Sequence, residues 1–133
     1  MNDNSSTERA LDLLIIGAGG FFGAISRFMI AGQLGPASGT LVVNVLGSIL
    51  LGFLMYNSEY LGYVSPRIRM FFGIGFLGSL TTFSTFTVQT FQMPLVEAVF
   101  NVIANVLLTL GGVFAGRGIV VYIVKKGEER SGL

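Results

Sequence analysis

The sequence predicts an all-α integral membrane protein with four transmembrane helices. Hydrophobic residues make up 52% of the chain and charged residues 11%, whereas about a quarter of a soluble domain is charged. The charges also leave long gaps, since residues 28–58, 70–96 and 98–116 contain no Asp, Glu, Lys or Arg. A spanning helix needs about 20 apolar residues. Each gap is therefore long enough to hold most or all of one span.

The predicted helices cover about residues 12–33, 39–57, 67–92 and 95–124. The first two are separated by Gly32-Gln33-Leu34-Gly35-Pro36, which is a turn signal. Residues 1–10 are predicted to be a polar tail, residues 11–125 the membrane domain and residues 126–133 a second polar tail. Asp and Glu within the first ten residues argue against a secretory signal.

An even number of spans places both termini on one side of the membrane. Most of the basic residues fall on that side: Arg9, Arg67, Arg69, Lys125, Lys126 and Arg130, with Arg117 close to it. The positive-inside rule therefore predicts cytoplasmic termini. We expect a multi-pass protein in the inner or plasma membrane of the cell, in contact with its lipid.

The composition also limits the chemistry. The chain has no Cys and no His, which removes disulfides, thiolate metal sites and the commonest general base. No nucleophile–base pair is visible, so an enzyme is the least expected class. The net charge of +1 gives no indication of a nucleic-acid partner.

Arg27 is the one charge predicted to lie well inside a span. If the first helix ended before it, the uncharged segment would be too short to cross a bilayer. One interpretation is an anchor that extends its guanidinium to the nearer interface; the other is a residue that attracts an anion or lines a watery entrance.

The third span contains an unusual polar run between Thr81 and Phe86. Glycines precede a series of hydroxyl and β-branched residues, which are weak helix formers, and hydroxyls compete for local backbone groups. Either this is a Ser/Thr-rich packing face, or the helix is broken in mid-membrane and its freed backbone groups are satisfied by protein or by an ion.

Polar side chains on the other spans are spaced along helix faces. Asn44 and Ser48 are four residues apart in the second span, and Asn101, Asn105 and Thr109 form one stripe in the fourth. A single Asn in a membrane is often only a link between helices, but aligned ones are typical of a lined path. Amide N–H groups, hydroxyls and the edges of aromatic rings all suit an anion. The residues by themselves indicate a passive anion pathway without identifying the anion.

The sequence resembles the Fluc (CrcB) family of fluoride channels over nearly its whole length. The most specific motif is the polar run of the third span, Thr81-Thr82-Phe83-Ser84-Thr85-Phe86. The residues that carry the resemblance are Gly19-Gly20-Phe21-Phe22-Gly23-Ala24 with Arg27, Gly39-Thr40-Leu41-Val42-Val43-Asn44, Gly75-Phe76-Leu77-Gly78-Ser79-Leu80-Thr81-Thr82-Phe83-Ser84-Thr85-Phe86, and Asn101-Val102-Ile103-Ala104-Asn105.

This resemblance implies an antiparallel, dual-topology dimer with two fluoride pores at its interface, which exports cytoplasmic fluoride and gives fluoride resistance. It also implies a role for each matching residue. Phe83 and Phe86 face the ion with their ring edges and Asn44 donates near them, while Ser84 and Thr85 line the pore. Asn101, Asn105 and Thr109 form a polar track. The backbone carbonyls of Gly78 and Thr81 from both subunits hold a structural Na⁺, and Arg27 lies near the vestibule.

The chain departs from the family pattern at two positions: Ser79 replaces a usual Gly, and Gln89 replaces a frequent Glu. The strong positive bias also fits dual-topology insertion poorly, which leaves a homodimer and a heterodimer both open. The alternative function is a small multidrug-type four-helix exporter, which would need a carboxylate in the first span. A structural protein is a third class, in which the pairs Gly19/Gly23 and Gly112/Gly116 serve only packing.

Overall fold

The computed structural model describes residues 3–62 and 64–132, and every regular element in these ranges is helical. The elements are α1 (Asp3–Leu34), α2 (Pro36–Tyr60), α3 (Pro66–Ile68), the π-helix π1 (Arg69–Leu77), α4 (Gly78–Leu80), α5 (Ser84–Phe91) and α6 (Leu95–Ser131). Four segments are long and apolar enough to cross a membrane: Ser6–Leu34, Pro36–Tyr60, Pro66–Phe91 and Leu95–Arg130. The predicted all-helical chain with four spanning segments is thereby confirmed.

The outer helices are longer than the sequence predicted. Helix α1 already begins at Asp3 and α6 continues to Ser131, so residues predicted as polar tails form the ends of helices. Apolar runs show which residues suit the hydrocarbon, but Glu, Lys and Arg are good helix formers and let a helix continue into water. Met1, Asn2 and Leu133 of the predicted tails lie outside the described residues.

The connection between α1 and α2 is a single residue, Gly35. Its φ of 81° and ψ of 163° lie in a region that is essentially restricted to glycine. Pro36 follows at the first helical position, where its missing N–H costs nothing. The predicted turn signal at residues 32–36 therefore acts through this Gly-Pro pair.

The helices pack as two parallel pairs, α1 along π1 and α2 along α6. At one end of the molecule Arg67 forms ion pairs with Glu8 (2.5 Å) and Asp12 (3.8 Å). The Arg117 guanidinium lies 5.2 Å from the centre of the Tyr56 ring, toward the ends of α6 and α2. The start of α1, the connection after α2 and the end of α6 therefore lie at the same end of the molecule.

Glycines bring both pairs into backbone contact. In what we call the α1–π1 seam, a Cβ on Gly19 or Gly23 would overlap a backbone carbonyl of π1, and a Cβ on Gly75 would overlap one of α1. In the α2–α6 seam, Gly52 and Gly116 are equally crowded. Close approach of this kind gives dispersion contacts that lipid chains cannot replace. The predicted glycine pairs thus pack helices within the chain.

The third span is not one continuous helix. Helix α4 ends at Leu80, Thr81 is extended with a ψ of 155°, and α5 begins only at Ser84. Gly47 of α2 leaves room for the Thr81 methyl group, because a Cβ there would overlap it. The buried apolar cluster next to this interruption consists of Val43, Leu77 and Leu80. The helix therefore ends beside a packed apolar cluster.

Candidate functional site

The interruption in the third span is closed by one side chain, that of Asn44. The Thr82 N–H, which an unbroken helix would direct at the Gly78 carbonyl, donates to Asn44 Oδ1 (2.8 Å). In return, Asn44 Nδ2 donates to the Thr82 carbonyl (3.1 Å). The amide thus pairs with both backbone groups of Thr82, as a neighbouring β-strand would. This satisfies backbone groups that would otherwise be orphaned in an apolar surrounding.

A continuous series of hydrogen bonds leads from Asn44 across α6 to α5, and we call it the asparagine chain. Asn44 Nδ2 donates to Asn105 Oδ1 (3.3 Å), and Asn105 Nδ2 donates to Asn101 Oδ1 (3.0 Å). Asn101 Nδ2 then donates to Thr90 Oγ1 (2.7 Å), and Thr90 Oγ1 to the Phe86 carbonyl (2.7 Å). Asn105, at its centre, is only 5% exposed.

The asparagine chain has a defined direction. The Thr82 N–H can only donate, so Asn44 must present Oδ1 to it and direct Nδ2 at Asn105. Each following amide is oriented in the same way, because its oxygen must face the preceding N–H. Both N–H groups of Asn44 and both of Asn105 therefore have acceptors within the chain, and Asn101 Nδ2 donates one of its two to Thr90. An anion could bind the N–H groups of Asn44 or Asn105 only by replacing one of these bonds.

The two phenylalanines of the polar run lie together but in different surroundings. Their ring centres are 5.7 Å apart and the rings are tilted by 49°. Phe86 is buried, at 8% exposure, whereas Phe83 is 77% exposed in the single chain. Ring edges carry partial positive charge, so the pair offers an anion one buried ring and one ring on the surface of the chain.

Hydroxyl groups surround the start of α5. Thr82 Oγ1 accepts the Thr85 N–H (3.2 Å) and donates to Thr85 Oγ1 (3.0 Å). Ser84 Oγ lies 3.4 Å from the same Thr82 hydroxyl, and both Ser84 and Thr85 are exposed. Thr109 differs, because its hydroxyl donates to the Asn105 carbonyl of its own helix (2.5 Å). The hydroxyls next to the rings are therefore those of Thr82, Ser84 and Thr85.

Arg27 reaches the interruption from α1. Its Nη1 lies 3.4 Å from the Thr81 carbonyl, at the long end of a hydrogen bond. A groove of about 300 Å³ runs along the same region, bordered by Asn44, Thr81, Phe83 and Thr109 among others. The described residues contain no group of three or more acidic side chains that could hold a metal ion.

Two residues of the site were not singled out from the sequence. Thr82 is the backbone partner of Asn44, and Thr90 links α5 to α6. Thr90 lies four residues after Phe86, the spacing at which a Thr hydroxyl bonds to the carbonyl of the preceding turn. This spacing is the feature of the sequence from which the role of Thr90 could have been predicted. Gln89, noted for its departure from the family, has a buried Oε1 without a hydrogen-bond partner in the described residues.

Comparison with known proteins gives consistent results. A family profile described as CrcB-like protein, Camphor Resistance (CrcB), matches residues 14–117. The fluoride-specific ion channel FluC 2 of Methanosarcina barkeri is 50% identical over 117 residues, covering 87% of this chain and 93% of that protein. The protein of the same name from Methanosarcina acetivorans is 47% identical over 116 residues, which are 86% and 92% of the two chains. The fluoride-specific ion channel FluC of Methanocaldococcus jannaschii is 43% identical over 122 residues, or 86% and 98%.

Proposed function

The chain belongs to the CrcB family, and we propose that it is a fluoride-selective passive channel that exports fluoride from the cytoplasm. It is a multi-pass membrane protein of a channel family and not an enzyme. The observation that carries the proposal is the phenylalanine pair beside the interrupted helix. Phe83 and Phe86 present their rings where the backbone leaves the helix and the hydroxyls of residues 82–85 gather. Ring edges and hydroxyl donors are the groups that can replace water around a small anion.

The pore is completed by a second subunit in this proposal. Phe83 is 77% exposed in the single chain, and the groove at the interruption opens on the same surface. An antiparallel copy would cover both and create two equivalent pathways, each with rings from both subunits. A heterodimer is the second possibility. Methanosarcina acetivorans has two proteins similar to this chain, FluC 2 at 47% and FluC 1 at 40% identity, and two such chains in one cell could pair with each other.

A sodium ion fits the carbonyls at the interruption. The Gly78 carbonyl has lost its helical donor to Asn44, and the extended Thr81 turns its own carbonyl out of the helix. Hard cations prefer oxygen ligands, so the carbonyls of Gly78 and Thr81 from two subunits would hold Na⁺, with Arg27 sharing the Thr81 oxygen. The bound ion would supply positive charge at the centre of the dimer. The chain's own contribution would be to leave both oxygens without their helical donors, since Asn44 takes the Thr82 N–H and the Thr82 hydroxyl takes the Thr85 N–H.

The remaining residues divide into a pathway and an entrance. Ser84 and Thr85 are exposed residues next to the rings; the Thr85 hydroxyl can donate to a passing anion without breaking a bond, whereas the Ser84 hydroxyl would give up its long contact with Thr82 Oγ1 (3.4 Å). Asn44, Asn101, Asn105 and Thr109 border the pathway, with the Asn amides able to exchange a partner for the anion. Arg27 draws anions toward the vestibule. Such a channel in the plasma membrane would give fluoride resistance.

Fluoride efflux from proteoliposomes, followed with an ion-selective electrode, tests this function. We expect passive fluoride efflux with no comparable chloride efflux. Replacing either ring, as Phe83→Ile or Phe86→Ile, should lower fluoride efflux at least tenfold while the dimer still assembles, because the ring edges are lost but most of the volume stays. Phe91→Ile is the matched control, since Phe91 lies on the same helix and is 92% exposed.

Equal efflux of both anions from wild-type protein, or none of either, would reject the proposed function. Wild-type efflux in both ring variants would reject the assignment of the pore to Phe83 and Phe86. Assembly is measured by size-exclusion chromatography in detergent, so that loss of the dimer is not taken for loss of conduction.

A further inference from the structure

We propose that Thr90, together with Asn101, is a positioning pair that fixes helix α5 and with it the Phe86 ring. The inference rests on the proposed channel function for the meaning of that ring. Neither residue needs to touch the ion for this role. Thr90 acts through the Phe86 carbonyl, and Asn101 acts through Thr90.

Helix α5 needs such support because it is short and interrupted at its start. It has eight residues, and isolated helices shorter than about 12–15 residues are marginal even under favourable conditions. Its beginning is tied down by Asn44 through Thr82. Its later turns are tied to α6 by the bond between Asn101 Nδ2 and Thr90 Oγ1. The two ties hold α5 at both ends.

The Thr90 hydroxyl is suited to this position because it both accepts and donates. It accepts from Asn101 Nδ2 and donates to the Phe86 carbonyl, with both bonds at 2.7 Å. The direction of the asparagine chain leaves Asn101 no alternative. Turning its amide over would place its N–H groups against those of Asn105, which also donate toward it. Any residue at position 90 without an acceptor would therefore leave Asn101 Nδ2 without a partner.

The pair also connects the two contacts that hold α5, the one from Asn44 to Thr82 and the one from Asn101 to Thr90. Asn105 joins Asn101 to Asn44, so the same series of amides reaches the interruption before Phe83 and the carbonyl of Phe86. A displacement at Thr90 would be passed to Asn44 through bonds whose direction is fixed. We infer that the spacing of the two rings is set by this series and not by ring packing alone, since Phe83 is largely exposed.

The test compares Thr90→Val with Thr90→Ser. Valine keeps the shape of threonine but removes the hydroxyl, whereas serine keeps the hydroxyl. Thr87→Val is the matched control, because the Thr87 hydroxyl donates only to the Ser84 carbonyl of the same helix (2.8 Å). Two quantities are measured on the full-length dimer: fluoride efflux from proteoliposomes, and deuterium uptake of the backbone amides in residues 84–91.

We expect Thr90→Val to lower fluoride efflux on the order of tenfold, the effect of one orphaned polar group, and to raise deuterium uptake in residues 84–91. Thr90→Ser and Thr87→Val should match wild type in both measurements. In the double variant with Asn101→Ala, the losses should be less than additive, because each single variant already breaks the bond between the two residues.

Thr90→Val that behaves like Thr87→Val in both measurements would overturn the inference. If wild-type protein shows no fluoride efflux but Thr90→Val still raises uptake in α5, the proposed function fails and the positioning role stands. Should Thr90→Val not assemble, Asn101→Ala breaks the same bond from α6. Unchanged uptake in residues 84–91 of that variant would then reject the role.

Discussion

The α1–π1 seam and the asparagine chain hold this molecule together in opposite ways. In the seam, Gly19 and Gly23 remove side chains so that two backbones touch. In the asparagine chain, large amide side chains fill the space between α2, α6 and α5 and satisfy one another. The seam depends on the absence of side chains at its glycines. The asparagine chain depends on the orientation of each side-chain amide.

The state of the backbone explains where the seam and the asparagine chain lie. Continuous helices satisfy their own backbone groups, so α1 and π1 need only shape to pack in an apolar solvent. The third span stops being a helix at Thr81, and the freed groups there need hydrogen bonds from other elements. Side-chain amides supply both a donor and an acceptor without a charge.

The largest effect is expected from closing the seam with Gly23→Ala. Its Cβ would overlap the Phe76 carbonyl, which is backbone and cannot rotate away. We expect a loss of stability near the top of the ~1–3 kcal/mol range for overpacking, measured as a lower temperature for loss of the dimer peak in size-exclusion chromatography. Gly17→Ala is the control: its Cβ meets nothing within 4 Å, so it should be neutral or stabilising by up to about 1 kcal/mol. Equal behaviour of the two variants would contradict the seam.

A smaller effect is expected from opening the asparagine chain with Asn44→Ala. The Thr82 N–H and the Asn105 Oδ1 lose their partners, which should cost about 1–3 kcal/mol and weaken fluoride efflux. Ser48→Ala changes the next turn of α2 and takes no part in the chain, so its melting temperature should stay near that of wild type. Wild-type stability and efflux in Asn44→Ala would reduce Asn44 to a packing residue.

The smallest effect is expected at Gly47 of α2, which faces the Thr81 methyl group at the interruption. A Cβ on residue 47 would overlap only the Thr81 methyl group, so Gly47→Ala should cost under ~1 kcal/mol after its gain in helix propensity. Adding Thr81→Ser removes that methyl but keeps the hydroxyl that donates to the Leu77 carbonyl (3.0 Å). The double variant should regain wild-type thermal stability. A double variant less stable than Gly47→Ala would show that the methyl is not the obstacle.

The sequence was informative where the physics is local. Hydropathy and the gaps between charges identified four spanning segments, because crossing hydrocarbon constrains each segment separately. The stripe of Asn101, Asn105 and Thr109 followed from helical spacing alone. That spacing could not show that Thr109 donates to its own helix whereas the two asparagines bond to each other. The roles of these residues in conduction remain predictions.

By itself the sequence determined that this chain crosses a membrane as helices, that the third span carries a polar run, and which family it resembles. Only the tertiary structure decided what satisfies that run. Asn44 lies 38 positions before Thr82, and Thr90 is 11 positions before Asn101. No periodicity relates residues on different helices, because the packing of two backbones chooses which polar groups meet. Glycines let α2 and α6 approach closely, Asn44 and Asn105 meet across these two helices, and the Thr82 N–H then fixes the orientation of each amide.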